Sequence, residues 1–324
     1  MLVELGVATA TGYVVGRYRE RRRNTSSSSS SSPSAVTLTG LKTGVSMSAW
    51  EKRQKAEHVR IAKAELGRLW TYKEGDRERV QGFFDCLRHP NWKLEKVEGP
   101  VDDTYEVWRL PGEKVNRIMG VATVPVAPNT AFEEFKNPKR VFSYFFPRID
   151  PMFIGGDILA EPSSGRALCH AAFKMPAPFG GGSAPVASRD FIWEQRITKL
   201  NAGGVLVSAQ SIPDDDARKM LPSSTQRKKR FPFEKNSAPT PPSSDVLPNL
   251  PKWKGAVRGD LQTSGYFGKE VWVTPSGTSK KQRHARVWYV VQADPKGIIP
   301  KWLVNLVSKK QAQNVVRLAD MYRK

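Results

Sequence analysis

The side chains that could perform covalent chemistry are few and widely spaced. The four histidines have no metal-ligand spacing and lie at His58, His89, His170 and His284. Cys169 precedes His170, but neighbouring side chains on a strand point to opposite faces, so this pair cannot act as nucleophile and base. No Gly-x-Ser-x-Gly motif is present. We therefore expect no catalytic residues, no metal site and no cofactor, and a protein that is not an enzyme.

Two other groups of residues have non-catalytic explanations. The glycines at 180–182 lack the Gly-Lys-Ser/Thr sequence of a phosphate-binding loop. Asp214–Asp216 lie beside a basic segment, where we expect them to neutralise charge rather than to bind a metal. Cys86 and Cys169 are too few for a disulfide framework, whereas 9 Trp, 8 Tyr and 14 Phe supply material for a core. The sequence therefore favours a folded protein without a disulfide framework.

Most of the net charge of +21 lies outside the middle of the chain. Residues 1–46, 214–254 and 296–324 carry net charges of +4, +4 and +6, whereas residues 101–213 carry +1. This distribution indicates a folded body whose basic segments meet an anionic surface, either phospholipid headgroups or nucleic acid. The RKKR run at 227–230 supports the alternative of a basic nucleic-acid-binding or scaffold protein without a ligand tunnel, although no nucleic-acid-binding fold pattern accompanies it.

The chain divides into a tail, a domain and an insertion. Residues 1–46 combine a weakly apolar stretch, an arginine cluster at 17–23 and the serine linker Ser26–Ser32, which predicts a disordered or targeting tail. A signal-anchor, an organelle-targeting segment, a surface helix and an unstructured end are all open for residues 1–23. Residues 47–324 form the predicted domain, with a disordered basic insertion at about 214–254 because few apolar residues occur there.

Hydrophobic periodicity predicts a series of strands between helices at both ends of this domain. Helical spacing occurs at 48–69, 76–88, 130–146 and 300–322. A period of two, typical of strands, occurs at 92–97, 104–110, 117–124, 157–161, 166–174, 189–199, 205–211, 257–263, 266–274 and 286–293. Short turns between consecutive strands favour an antiparallel sheet, and the apolar stripe of the last helix can cover one of its faces.

Several motifs occur in the order and spacing of a known family. Ser188–Trp193 (SRDFIW) resembles a strand of START domains, the steroidogenic acute regulatory-related lipid transfer family. Ala293–Asn305 resembles the last turn of this family and the start of its terminal helix. Val257-Arg258 with Ser264–Tyr266 resembles its eighth strand, and Arg148–Pro151 resembles a turn in which the family has Trp at the position of Ile149. The resemblance covers residues 75–324, apart from the insertion.

The resemblance implies an α+β helix-grip fold, in which a curved antiparallel sheet wraps around a long C-terminal helix and encloses a lipid tunnel. It also implies that the protein binds one lipid and transfers it between membranes. Moving a sixteen-carbon chain from water into an apolar site is favourable by about 13 kcal/mol, at about 0.8 kcal/mol for each CH₂ group. Such a tunnel needs an apolar lining, a few polar groups for the headgroup and a gate.

Strand alternation identifies the predicted lining of this tunnel. The ligand-binding candidates on the strands and on the terminal helix are Cys169, Ala171, Phe173, Phe191, Trp193, Gln195, Ile197, Val287, Tyr289, Val291, Leu303, Leu306 and Val307. Ordinary core packing is the alternative for each of them. The hydroxyl group of Tyr289 can also contact a headgroup.

The predicted gate consists of the terminal helix and the loop at 176–185. Gly180, Gly181 and Gly182 give this loop wide backbone freedom, and Phe179 at its tip can enter a membrane interface. Trp302, in the first turn of the terminal helix, is the candidate membrane anchor. A plain surface loop and a Trp302 packed beneath it are the alternatives.

The identity of the lipid follows from a departure from the family. Sterol-binding members are similar in carrying a buried Glu–Arg pair on two adjacent strands. The matching positions in this chain are Ala171 and Gln195, so the pair is absent, and we expect a glycerophospholipid rather than a sterol. The expected partners are this lipid and an anionic membrane surface, and nucleic acid is not expected. We expect a monomer that is cytoplasmic and peripherally membrane-associated.

Overall fold

The centre of the fold is an open antiparallel sheet. The computed structural model describes residues 47–99, 103–112, 114–137, 140–175, 186–201, 203–222, 249–274, 279–297, 299 and 301–323, without the side chains of Lys301, Trp302 and Leu306. The predicted tail at 1–46, the predicted gate loop at 176–185 and residues 223–248 of the predicted insertion lie outside the described residues. The order of helices and strands in the described residues confirms the predicted α+β fold class.

Twelve strands occur in the described residues. They are β1 (Lys93–Glu98), β2 (Tyr105–Leu110), β3 (Arg117–Val124), β4 (Phe153–Ser163), β5 (Arg166–Phe173), β6 (Arg189–Leu200), β7 (Gly204–Gln210), β8 (Val257–Arg258), β9 (Asp260–Leu261), β10 (Ser264–Val273), β11 (Gln282–Val291) and β12 (Ala293–Asp294). Nine of them form an open antiparallel sheet in the order β1-β2-β3-β11-β10-β7-β6-β5-β4. β8 pairs with β6 in parallel, and β9 pairs with β12.

The two faces of the sheet carry separate apolar clusters. On β11, Val287 and Tyr289 point to one face and Trp288 and Val290 to the other, as strand alternation requires. We call the first the inner face, which helices from residues 128–149 and 301–322 cover. The outer face is the one covered by helices from residues 47–87.

Two helices cover the outer face. They are α1 (Met47–Leu66) and α2 (Glu74–Leu87), joined by a 3-10 turn (Leu69–Thr71). Phe84 of α2 packs edge-on against Phe267 of β10, with ring centroids 5.2 Å apart. Acidic residues in the first turn of α2 lie where the helix dipole favours negative charge. Both helices lie where the hydrophobic periodicity predicts them.

A chain of short helices between β3 and β4 packs on the inner face. It contains α3 (Pro128–Ala131), α4 (Glu133–Lys136), a π-helical turn (Val141–Phe145) and α5 (Phe146–Ile149). Phe135, Phe145 and Ile149 from this segment are almost completely buried in the inner cluster. The segment therefore supplies aromatic side chains to the side of the sheet on which the tunnel is predicted.

Both ends of the predicted disordered insertion are ordered, which corrects its boundaries. Residues Asp214–Met220 form α6, and Ala217 and Leu221 pack with Leu168 of β5 in a small apolar cluster. The three aspartates at the start of α6 suit the helix dipole. Asp214 and Asp215 form ion pairs with Arg218, and Asp216 forms one with Lys219. Ala217 and Leu221, four residues apart, pack this segment against β5. A prediction from the average composition of residues 214–254 misses such a pair, because most of the other residues in the segment are polar.

The terminal segment forms two helices rather than the single helix predicted at 300–322. They are α7 (Lys301–Ala312) and α8 (Asn314–Tyr322). Asn314 Nδ2 donates to Asp150 Oδ2 at 3.3 Å, and Arg317 Nη1 donates to the carbonyl oxygen of Ile149 at 3.2 Å. These bonds to α5 and its end hold α8 in place, and they depend on residues far away in the sequence. No helix in the described ranges is both long and apolar enough to cross a bilayer.

Gly120 is expected to be essential for the close packing of the terminal helices on the sheet. A Cβ atom at this position of β3 would overlap the carbonyl oxygen of Ala312 at the end of α7. Because a backbone atom cannot move aside easily, Gly120→Ala is expected to lower the free energy of unfolding by about 1–3 kcal/mol in a urea titration.

Gly82 provides the matched control for this substitution. Gly82 is half-buried in the middle of α2, and its added Cβ atom would lie 4.0 Å from the nearest atom, Thr263 Oγ1, which is an ordinary van der Waals contact. Alanine inside a helix is more stable than glycine by about 0.5–1 kcal/mol, so Gly82→Ala is expected to stabilise the protein. Destabilisation by both substitutions to the same extent would contradict the assigned packing.

Candidate functional site

A cavity of about 70 Å³ lies between the inner face and the helices that cover it. Six of the predicted lining residues border it, namely Phe173, Phe191, Trp193, Gln195, Tyr289 and Val291. They come from β5, β6 and β11, along which alternate side chains point to the inner face. The structure thus brings these six residues together, while their contact with a ligand stays a prediction.

The other predicted lining residues do not border this cavity. Cys169, Ala171 and Val287 are fully buried in the inner cluster, and Ile197 packs against its edge. Leu303 is a buried residue of α7 itself. Val307 borders a smaller, adjoining cavity. The side chains of Leu306 and Trp302, and all of Phe179, Gly180, Gly181 and Gly182, lie outside the described residues.

Several residues at the cavity were not identified from the sequence. Phe135 and Phe146 come from the helical segment between β3 and β4, and Asp150 follows α5 directly. Tyr266 lies on β10, where its alternation with Phe267 is a usable signal for an inward position. For the phenylalanines no such signal exists, because long-range packing decides which of their rings reach the cavity.

The predicted tunnel is closed in this structure. A volume of about 70 Å³ is smaller than the roughly 150 Å³ of an engineered cavity that binds benzene, so an acyl chain does not fit. The ring centroid of Phe146 lies 5.5 Å from that of Phe142 and 5.6 Å from that of Phe153, with the rings nearly parallel. This aromatic stack (Phe142, Phe146, Phe153) fills the space beside Trp193.

One side of the cavity carries polar groups without positive charge. Tyr266 and Tyr289 are cross-strand neighbours whose rings stack at 4.2 Å between centroids. The buried hydroxyl of Tyr266 lies near Tyr289 and Asn314 but forms no hydrogen bond of ordinary geometry with them. Burial raises the pKa of both tyrosines well above the usual range. The described cavity lining thus offers hydroxyl groups that stay protonated and can donate to an oxygen atom of a guest.

Asp150 is the acidic residue at this cavity. Burial raises the pKa of its carboxyl group, and the hydrogen bonds from the Met152 amide at 2.9 Å and from Asn314 oppose this effect. No lysine or arginine is among the described residues that line the cavity. An anionic group placed deep in the cavity would therefore lack a counter-charge, which is costly in an apolar environment.

A second cavity of about 30 Å³ adjoins the first at the end of the sheet where β5 ends and β6 begins. The two cavities share Phe173, Phe191, Ala293 and Gln311. Lys174 and Arg189 border only the smaller one, and we call this end of the molecule the cationic mouth. Met175, which precedes the predicted gate loop, also borders it.

Arg189 at the cationic mouth is buried without a carboxylate partner in the described part of the chain. Its guanidinium group donates to the carbonyl oxygen of Pro295 at 2.6 Å and to the carbonyl oxygens of Ala187, Ser188 and Lys296. Burial lowers the pKa of this group. The carbonyl oxygens hold the side chain in place but do not neutralise its charge, so the mouth attracts anions.

The register of β5 and β6 bears on the predicted loss of a Glu–Arg pair. Ala171 lies opposite Phe191, and Gln195 lies opposite Ala167. The two matched positions are therefore not neighbours, which corrects the expected geometry. Beside the main cavity the conclusion about charge is unaffected, since the inward positions there carry Ala167, Cys169, Ala171, Phe173, Phe191, Trp193, Gln195 and Ile197, none of them charged. The charged residue on this face of β6 is Arg189, at the start of the strand, where it borders the smaller cavity.

Comparison with solved structures identifies the fold. Human StAR-related lipid transfer protein 5 is similar with a TM-score of 0.50 and 13% sequence identity, over 83% of this chain and 98% of that chain. Human STARD10 aligns with a TM-score of 0.47 and 15% identity over 78% and 83% of the two chains. The lipid transfer and protein localization domain of human StarD13 aligns with a TM-score of 0.44 and 14% identity over 75% and 95%.

No family model matches the sequence, and no curated protein matches it either. The likeness to known proteins is therefore one of structure. The likeness to StAR-related lipid transfer protein 5, together with the large open sheet and the terminal helices on its inner face, confirms the predicted START-like helix-grip fold.

Proposed function

We propose that this protein binds one lipid between the inner face of its sheet and the terminal helices, and carries it between membranes. The observation that carries the proposal is the cavity at which six residues predicted from the sequence meet. The shared fold supports it, because StAR-related lipid transfer protein 5 is named for lipid transfer. Lipid uptake then requires the closed interior to widen.

The terminal helices offer a route for this widening. α8 is fastened by the Asn314 and Arg317 bonds to the end of α5, and Tyr322 Oη donates to the carbonyl oxygen of Thr130 at 3.0 Å. α7 lies over the smaller cavity, to which it contributes Val304 and Val307.

α7 has two side-chain bonds to the sheet region, from Asn116 Nδ2 to Asn305 Oδ1 and from Lys309 Nζ to Glu95 Oε2, each at 2.8 Å. We infer that these two bonds break and that α7 moves about the interruption at Gln313 while α8 stays in place. Together with the loop at 176–185, α7 forms the gate.

The charges favour a glycerophospholipid over a sterol. Lys174 and Arg189 provide positive charge at the cationic mouth, whereas the cavity lining is apolar apart from neutral and acidic groups. A phospholipid would place its phosphate at the mouth and its acyl chains inside. The ester oxygens would lie near the hydroxyl groups of Tyr266 and Tyr289. A sterol has no phosphate, so it would form no ion pair with Lys174 or Arg189.

Reversing the charge at the mouth tests this assignment. Lys174→Glu is expected to lower phospholipid uptake from vesicles by about tenfold, because it replaces an attractive charge by a repulsive one near the phosphate. The measurement is the amount of lipid that the reisolated protein carries, determined by mass spectrometry after incubation with vesicles of phosphatidylcholine, phosphatidylserine and cholesterol.

Lys93→Glu is the matched control, since Lys93 is exposed on the edge strand β1, far from the mouth in the sheet order. It is expected to leave uptake unchanged. Preferential uptake of cholesterol, with no effect of Lys174→Glu, would contradict the glycerophospholipid assignment but not lipid binding. Failure to take up any lipid would contradict both.

A further inference from the structure

Two large apolar side chains are strongly exposed in the described part of the chain. Trp70, in the turn between α1 and α2, is 78% exposed, and Trp272, near the end of β10, is 60% exposed. Exposed single apolar residues are common, but tryptophan is enriched at interfaces and at membrane surfaces, where one end of the side chain is apolar and the other is wet.

Both tryptophans lie at the end of the sheet opposite to the cationic mouth. β6 starts at Arg189, at the mouth, and ends at Leu200, about 36 Å away at about 3.3 Å per residue. The turn after β6 binds the turn that carries Trp70, through a bond from Asn201 Nδ2 to Thr71 Oγ1 at 2.5 Å. The C-terminal half of β10 continues beyond this same end.

Trp272 stands on a hairpin that projects from the sheet. β10 pairs with β7 only up to Gly268, and β11 pairs with β3 only from Ala285 onward. Beyond these positions the two strands pair only with each other, as far as Val273 and Gln282. The hairpin of β10 and β11 therefore extends past the ends of β7 and β3, and its side chains are available to a partner at this end of the sheet.

The projecting hairpin is basic. Between residues 269 and 283 it carries one acidic residue, Glu270, and four basic residues, Lys269, Lys280, Lys281 and Arg283. Arg283 is the cross-strand neighbour of Trp272 and pairs with Glu270. With four basic residues and one acidic residue, the hairpin has a net positive charge beside an exposed indole ring. Lys280 and Lys281 are both exposed.

The turn that carries Trp70 is held rigidly. Arg68 Nη1 donates to the carbonyl oxygen of Asn201 at 3.0 Å, and Arg77 donates to the carbonyl oxygens of Leu69 and Tyr72 at 3.2 and 3.3 Å. The ordering of this turn is thus independent of any partner. An exposed tryptophan on a fixed turn loses little conformational entropy when a surface covers it.

We propose that this end of the molecule, defined by Trp70, Trp272, Lys280 and Lys281 and called the tryptophan end, docks on an anionic lipid bilayer. Indole rings favour the headgroup region of a bilayer, and each lysine near an anionic surface strengthens binding. Docking here turns the cationic mouth away from the bound membrane, so that it faces the cytosol or a second membrane. This surface is separate from the cavity and does not depend on lipid uptake.

Vesicle binding by the full chain tests the proposal. Lys280→Ala/Lys281→Ala is expected to weaken binding to vesicles of phosphatidylcholine and phosphatidylserine by about tenfold or more. The matched control is Lys252→Ala/Lys254→Ala, which removes the same charge from two exposed lysines near the start of β8, beside the mouth. This control is expected to weaken binding by much less. Co-sedimentation at a fixed salt concentration provides the measurement.

A second readout reports insertion directly. Phospholipids brominated on their acyl chains quench the fluorescence of tryptophans that enter the bilayer. We expect quenching of the unaltered protein and its loss in Trp70→Phe/Trp272→Phe, whose exposed substitutions leave the core intact. Equal weakening by the two lysine pairs, or unchanged quenching in the tryptophan variant, would overturn the proposal. So would binding of duplex DNA, but not of vesicles, that depends on Lys280 and Lys281.

Discussion

Replacing Ala293 with phenylalanine is expected to lower lipid uptake by the folded protein by about tenfold or more. Ala293 borders both the main cavity and the smaller one at the cationic mouth. A benzyl group at this junction occupies the passage between them, so that an incoming acyl chain must displace one more ring. Overpacking of this kind costs about 1–3 kcal/mol, which corresponds to a loss of bound lipid of about tenfold or more.

Ala64→Phe is the control for this substitution. Ala64 is exposed on α1, on the outer face, where a phenylalanine meets no cavity. The measurement is the lipid carried by each variant after incubation with phospholipid vesicles, with circular dichroism to establish that both variants are folded. Undiminished uptake by folded Ala293→Phe would show that lipid does not pass between the two cavities.

Acid is expected to destabilise the protein through His58. This residue of α1 is 1% exposed, lies edge-on to Trp108 at 5.2 Å between ring centroids, and neither ring nitrogen has a hydrogen-bond partner in the described residues. Burial, with smaller contributions from Arg286 and Lys55, lowers the pKa of His58 to about 3. The folded protein therefore keeps this ring neutral at a pH where the unfolded chain protonates it.

The direction of the pH effect follows from the two pKa values. Between about pH 6.5, the ordinary pKa of histidine, and about pH 3 the unfolded state binds a proton that the folded state does not, so stability falls as the pH falls. At about pH 4 this amounts to about 3 kcal/mol. His58→Phe keeps the aromatic packing and removes the titration. The free energy of unfolding of His58→Phe minus that of the unaltered protein is thus expected to be about 3 kcal/mol larger at pH 4 than at pH 7.

Urea titrations of both proteins at the two pH values measure this difference. Other groups also titrate in this range, but they contribute equally to the two proteins and cancel in the comparison. A stability difference that does not change with pH would mean that His58 is accessible to protons in the folded state, in conflict with its burial between α1 and the sheet.

The strands and their inward faces could be predicted from the sequence because alternation is a local property. Phe191, Trp193 and Gln195 line the cavity for this reason. The size of the cavity could not be predicted, since the stack of Phe142, Phe146 and Phe153 is set by how the helical segment and β4 pack on the sheet. The interruption of the terminal helix at Gln313 could not be predicted either, because it depends on contacts of α8 with residues that are distant in the sequence.

The environment of a charged side chain and the exposure of a strand were harder to predict than the hydrophobic faces of the strands. Nothing in the sequence around Arg189 indicates that backbone carbonyl oxygens, rather than a carboxylate, hold its side chain. The projection of the β10–β11 hairpin could not be predicted from the sequence either. It arises because the neighbouring strands β7 and β3 end before β10 and β11 do. Periodicity identifies a strand but does not show where its pairing partners end.

Native mass spectrometry of the full chain, purified from its own cells and analysed before and after incubation with phospholipid vesicles, tests lipid binding most directly. If the protein has one lipid site that widens when lipid is taken up, each chain is expected to show a single added mass equal to that of one phospholipid. In the Ala293→Phe variant the fraction of chains with this added mass is expected to fall by about tenfold or more. A folded protein that shows only its own mass under both conditions would contradict the account.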